Sequence, residues 1–225
     1  MKNYDNASIR KAKRASIISL FIILIGSVGF DQVSKIHAEE KLMVYQDENN
    51  LKNYHGRQYP IWSTGAPVAE EGKTPFYLSF NFNYVRNQGA AWGFLSDTHD
   101  SFRIPFFYMV TLIAVIAIGL YFKNTPLSHR LQRFALVSVF SGAVGNFLDR
   151  VRLGYVIDWI DVRWNLFGWS YNFPNFNFAD SAITLGVGCL LVDAIILENL
   201  RNKRLKQIEN KNSQLAGGKS QSSTI

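Results

Sequence analysis

Two carboxyls in this chain of 225 residues stand in surroundings that suit acid–base work. Asp158 lies in YVIDWI (155–160) and Asp180 in FNFAD (176–180). Apolar and aromatic neighbours disfavour an ionised carboxylate. Two such groups brought together hold one proton between them, so that one serves as acid and the other as base at neutral pH. Such a pair activates water and protonates an amide leaving group. Membrane proteins also use buried acids as proton relays and ion sites, so a proton- or ion-conducting protein and a noncatalytic binding scaffold stay open at this point. Asp161 shares the face of Asp158 if that stretch is helical, and is the main decoy. Asp31 and Lys35 are spaced to pair along one helix face. Asp149 and Arg150 are adjacent, point to different sides and each need another partner. Asp193, thirteen residues after Asp180, is rotated by about 220° at a helical pitch and faces away.

The elements that must position these groups are apolar runs. Ala15–Phe30 is a run of sixteen uncharged residues, Ile104–Phe122 of nineteen, Phe134–Leu148 of fifteen and Ser181–Val192 of twelve. The second approaches the roughly 20 residues that a bilayer core needs; the others reach that length by including an ionisable residue near one end. Charged residues make up 18% of the chain, below the roughly 25% of soluble globular proteins, and a mean hydropathy near zero hides strong segregation. The single Cys189 excludes an internal disulfide framework and a Cys-rich metal site, and the four unclustered His argue against zinc. Basic residues concentrate in 1–15, 123–133 and 201–225, which together carry +12 and leave −5 on the rest of a chain of net charge +7. They flank apolar runs instead of interleaving with aromatics, which argues for a membrane and against nucleic acid.

The pattern predicts a mainly α membrane protein with four transmembrane helices over about 15–36, 104–122, 132–150 and 178–198, in one domain spanning 1–200. The basic bias puts both termini and the 123–133 loop in the cytoplasm and turns the connections 37–103 and 151–179 outward. Residues 1–30 read as a retained anchor. From Phe76 to Tyr84 apolar and polar residues alternate as in a half-buried strand, with an aromatic face suited to the membrane interface. Residues 43–73 read as a polar insertion, inert for function, and the basic tail 201–225 as disordered. At about 1.5 Å rise per residue, Asp31 lies roughly 24 Å along the first helix and Asp149 roughly 22 Å along the third. Asp31, Lys35, Asp149, Arg150, Asp158 and Asp180 therefore converge on one level near the outer surface.

Five ordered segments carry a resemblance: DQVSK (31–35), NQGAAWGF (87–94), GNFLDR (145–150), VIDWI (156–160) and FNFADS (176–181). Together the chain resembles lipoprotein signal peptidase, the type II signal peptidase of bacterial inner membranes, over about residues 15–200. The resemblance implies a four-helix membrane aspartic protease that removes the signal peptide of a prolipoprotein just before its diacylglyceryl-modified cysteine. By motif position Asp158 and Asp180 are its catalytic pair. Asn87 and Gly89, Asn146 and Arg150, Asn177, and the first-helix Asp31 and Lys35 are substrate-binding or supporting positions. It further implies a small sheet in the first outer (periplasmic) connection resting on the membrane, an active site near the outer leaflet, membrane lipid as a partner, and inhibition by globomycin-type compounds. No metal or cofactor is expected, and a monomer is. The rival readings become ion conduction and a noncatalytic lipoprotein-binding scaffold. Trp92 and Trp159 stand where the family commonly has other aromatics, and are expected to change pocket shape more than chemistry.

Overall fold

The computed structural model describes residues 6–47, 50–64, 76–89, 95 and 98–221. Residues 48–49 and 65–73 of the insertion, and 90–94 with Trp92, lie outside the described residues. In chain order the elements are α1 (Asn6–Leu42), β1 (Met43–Asp47), β2 (Asn50–Gly56), β3 (Tyr59–Thr64), β4 (Phe76–Asn87), α2 (Asp100–Asn124), α3 (Arg130–Leu153), β5 (Val156–Leu166), β6 (Trp169–Asn172) and α4 (Phe178–Val192). A π-helical turn, Asp193–Leu197, joins α4 to α5 (Glu198–Gln221).

Four helices among the described residues are long and apolar enough to cross a membrane: those spanning Arg14–Leu42, Ser101–Asn124, Arg130–Leu153 and Phe178–Asn210. Half of the apolar stretch of α3 is buried within the bundle, against 6% for that of α2. The third helix is thus the centre, and α1, α2 and α4 present Ile and Leu outward, as lipid-facing helices do. Close approach of α3 to α4 depends on Gly142, where any Cβ would collide with the Ala179 carbonyl.

Above the helices lies a four-stranded antiparallel sheet of order β3-β4-β5-β6, beside a separate β1-β2 hairpin. The sheet is not confined to the first outer connection, as expected; β5 and β6 come from the second. Charges at Asp158, Asp161 and Arg163 interrupt the apolar alternation of β5 and hide it from a pattern reading. The first-connection strand is also less regular than expected. Between Phe82 and Val85 the β4–β5 register slips by one residue, a bulge on β4. Phe76 and Phe82 stay exposed, while Tyr84 is 1% exposed in a core of Ala38, Leu42, Tyr155 and Ile157.

Part of the insertion, whose order the sequence leaves open, is structured, because β3 pairs with β4 as an edge strand of the sheet. The tail expected to be disordered is helical to Gln221. Its Lys, Arg, Glu, Gln and Leu are polar on average but are also good helix formers, and α5 extends a helix already nucleated by α4.

Candidate active site

Asp158 is the third residue of β5 and is 2% exposed. Asp180 is the third residue of α4. The two elements are joined through Asn177, the N-cap of α4. Its side-chain oxygen accepts from the Asp180 amide at 2.9 Å, and the Asp180 Oδ2 accepts from the Asn177 amide at 3.1 Å. This reciprocal capping box satisfies two amides that a helix start leaves free. The remaining Asn177 Nδ2 donates to Asp158 Oδ1 at 2.7 Å. One fully buried residue, Asn177, therefore touches both carboxyl groups, Asp158 through its side-chain amide and Asp180 through its backbone N–H.

Each carboxyl has a second amide donor. Asn146 Nδ2 on α3 donates to Asp180 Oδ1 at 2.7 Å, and Asn87 Nδ2 at the end of β4 donates to Asp158 Oδ2 at 2.9 Å. The β4 bulge makes the latter possible. The register pairs Val85 with Asp158 and Asn87 with Val156, which puts Asn87 on the Asp158 side of the sheet. Without that slip Asn87 would lie opposite Tyr155 and fall on the other face.

Burial, and after it the nearby charge of Asp180, push the Asp158 carboxyl up to about 7; the Asn87 and Asn177 donors oppose this. The proton is thus retained far above the usual carboxylate range, at a position with a second carboxyl in electrostatic reach.

Beneath the pair lies a polar cluster that holds the helices together. Lys35 Nζ, fully buried, meets Asp31 Oδ2 at 2.9 Å, Asp149 Oδ2 at 3.0 Å and Asn146 Oδ1 at 2.9 Å. Its three N–H donors thus have three acceptors. Asp31 Oδ1 reaches across to accept the Ala179 amide of α4 at 2.9 Å, and Asp149 Oδ2 accepts the Ile157 amide of β5 at 3.1 Å. Gly145 leaves room for this, since a Cβ there would stand 2.5 Å from Asp31 Oδ2.

Arg150 turns the other way, as its adjacency to Asp149 requires. Its Nη2 donates to the Gly89 carbonyl at 2.9 Å, and its guanidinium lies over the Phe107 ring, 4.5 Å from the centroid. Gly89 in turn donates its amide to Asn87 Oδ1 at 3.0 Å, which fixes which end of that side chain faces Asp158. The geometry thus brings all nine candidate residues into one connected network.

A model described as signal peptidase (SPase) II matches residues 22–196. The chain belongs to the signal peptidase II family. A lipoprotein signal peptidase of Geobacter sulfurreducens is 37% identical over 173 residues, covering 77% of this chain and 89% of the relative. One from Staphylococcus aureus (strain bovine RF122 / ET3-1) is 40% identical over 135 residues, covering 60% and 75%. A bacterial membrane enzyme solved by the in meso method at 2.3 Å resolution superposes with a TM-score of 0.57 at 33% identity, covering 83% of this chain and 92% of that one.

In this signal peptidase II chain the decoy Asp161 is excluded from the network by geometry. The stretch is a strand, so residues three apart lie on opposite faces. Asp161 is held there by Asn81, Gln58 and Arg163 at 3.0, 2.9 and 2.9 Å. Trp159 likewise packs against the Tyr84–Ile157 core, away from Asp158. Asp193 is buried in the π-helical turn and pairs with Arg201 at 2.7 Å.

Sequence reasoning missed Gln32, whose Nε2 donates to Asp149 Oδ1 at 3.0 Å and to the Gly145 carbonyl at 3.1 Å. Its only sequence signal was its position between Asp31 and Lys35. Tyr108 was missed too; its hydroxyl donates to the Arg150 carbonyl at 3.1 Å.

Proposed function

We propose that this family member is an intramembrane aspartic endopeptidase. It removes the signal peptides of diacylglyceryl-modified prolipoproteins by cutting before the lipid-bearing cysteine. The observation that carries this reading is Asn177 donating to both carboxyls, to Asp158 from its side-chain amide and to Asp180 from its backbone N–H; membership of the signal peptidase II family supports it.

The pair holds one proton at neutral pH and titrates as a unit. The ionised carboxylate takes a proton from water as the water attacks the scissile carbonyl. The neutral carboxyl polarises that carbonyl and then protonates the departing nitrogen. Asn87, Asn146 and Asn177 fix the carboxyl rotamers, and Arg150 fixes the Gly89 carbonyl, so the contribution of these residues is orientation. The substrate's acyl chains stay in the bilayer while its peptide reaches the pair at the helix ends. The protein works as a monomer in the bacterial inner membrane, with both termini cytoplasmic and the pair near the outer leaflet. Globomycin-type compounds occupy the same site.

The test is cleavage of a diacylglyceryl-modified prolipoprotein by the purified protein beside Asp158→Asn and Asp180→Asn. Loss of cleavage by at least about a thousandfold in both, with helicity and melting temperature near wild type, is expected. A folded wild type that cleaves nothing, or an Asp158→Asn variant of undiminished rate, overturns the assignment.

A further inference from the structure

At the opposite end of the bundle from the carboxyl pair, a cavity of about 380 Å³ lies where α2 passes into α3. Ile17 of α1 lines it together with Phe122, Lys123, Thr125, Pro126 and Arg133. Arg133 is 6% exposed. Among the described residues its one side-chain hydrogen bond runs from Nη1 to the Thr125 carbonyl at 2.9 Å, and its guanidinium lies 4.1 Å from the Phe122 ring centroid. The Nε is buried without an acceptor. Among the described residues Arg133 makes no ion pair.

The missing counter-charge is a property of the elements themselves. No Asp or Glu occurs between residues 6 and 30 or between 101 and 148, so the three strands of chain around this cavity hold no acid. A covered guanidinium with one of its five donors engaged is costly unless an oxyanion completes it. The level of the cavity says which oxyanion. The apolar run of α1 starts at Ala15, that of α2 ends at Phe122 and that of α3 starts at Phe134, so Arg133 stands at the boundary between hydrocarbon and headgroups. Ile17 and Phe21, 47% and 59% exposed, continue from the cavity down α1.

We propose that this cavity binds the phosphate of an anionic phospholipid, with Arg133 and Lys123 as its ligands and the Ile17–Phe21 face of α1 as the bed of an acyl chain. The planar guanidinium suits a phosphate in a fork geometry, and the exposed Lys123 adds a second charge at the rim. Thr125 is not a third ligand, because its hydroxyl already donates to the Tyr121 carbonyl at 2.8 Å.

Native mass spectrometry of the full-length protein, titrated with phosphatidylglycerol, with diacylglycerol and with inorganic phosphate, tests this. One phosphatidylglycerol is expected to be retained by wild type, and diacylglycerol is not. Arg133→Gln is expected to weaken retention about tenfold or more, and Lys123→Gln less, about threefold. Arg133→Lys restores part of the loss. Inorganic phosphate at millimolar concentration leaves the lipid bound. Phosphatidylglycerol retention unchanged in Arg133→Gln and in Lys123→Gln overturns the proposal. So does displacement by inorganic phosphate, which marks a free-anion site, or equal retention of diacylglycerol, which marks an apolar slot. If Arg133→Gln does not fold, the exposed Lys123→Gln and the phosphate competition decide the matter.

Discussion

Asn177 does two kinds of work with one side chain: its oxygen caps α4 and its nitrogen holds Asp158. The two are separable by substitution. Asn177→Ala is expected to lose about 1 kcal/mol from the missing cap and to slow cleavage by about a hundredfold or more as the Asp158 carboxyl loses its Nδ2 donor. Asn177→Ser restores the cap and the melting temperature but not the rate, so measuring both on the two variants checks the division. The pH dependence follows from Asp158. Its pKa is raised from 3.8 to about 7 in the fold, so the folded state binds that proton more tightly than the unfolded chain does. The resulting stabilisation is complete below the unfolded value and fades as pH rises through about 7. Melting temperature is expected to fall between roughly pH 4 and pH 7 in wild type and to flatten in Asp158→Asn. Cleavage rate is expected to fall on the alkaline side of about 7 as the shared proton leaves. The two carboxyls were legible in the sequence because apolar neighbours make an acid conspicuous. Gln32 was not, since an amide is chemically silent until its partners on another helix are known.

At the scale of elements, the bulge in β4 is what sets the face of Asn87. Inserting one alanine between Val85 and Arg86 is expected to slip the β4–β5 register, carry Asn87 to the far side of the sheet and abolish cleavage while leaving the far-ultraviolet dichroism unchanged. Undiminished cleavage in that insertion would dissociate Asn87 from Asp158. On α3, Gly145→Ala forces a methyl against Asp31 Oδ2. The displaced carboxylate leaves both Lys35 and the Ala179 amide, and a loss of about 1–3 kcal/mol in a denaturation series is expected. The spans themselves were readable from apolar runs. Their ends were not: α1 continues to Leu42 through HAEEKL, which is polar yet helix-forming. The sheet was half readable for a related reason. β4 alternates plainly, whereas β5 carries site chemistry on one face and the Asp161–Arg163 pair on the other, and those charges erase its period.

For the molecule as a whole, Lys35 is the charge on which the bundle closes, because it binds carboxylates from α1 and α3 and an amide that reaches the pair. Lys35→Met leaves Asp31 and Asp149 buried without a cation, and a destabilisation of about 3–5 kcal/mol is expected. Steric trapping or a thermal melt in detergent measures it; an unchanged melt would mean that water or another cation takes the place of the ammonium. The same arrangement has a consequence for biosynthesis. Spans leave the ribosome one at a time, and α1 must enter the bilayer before α3 exists. Asp31 and Lys35 neutralise each other on a single helix, so the first span is electrically balanced while it is alone. Asp149 arrives later with Arg150 as its neighbour in the chain. It then meets Lys35 of α1, and the last span brings Asp180 and the Ala179 amide for Asp31. The proposed catalytic pair is therefore completed last, after Asp31, Lys35 and Asp149 have already been made safe for the lipid by one another.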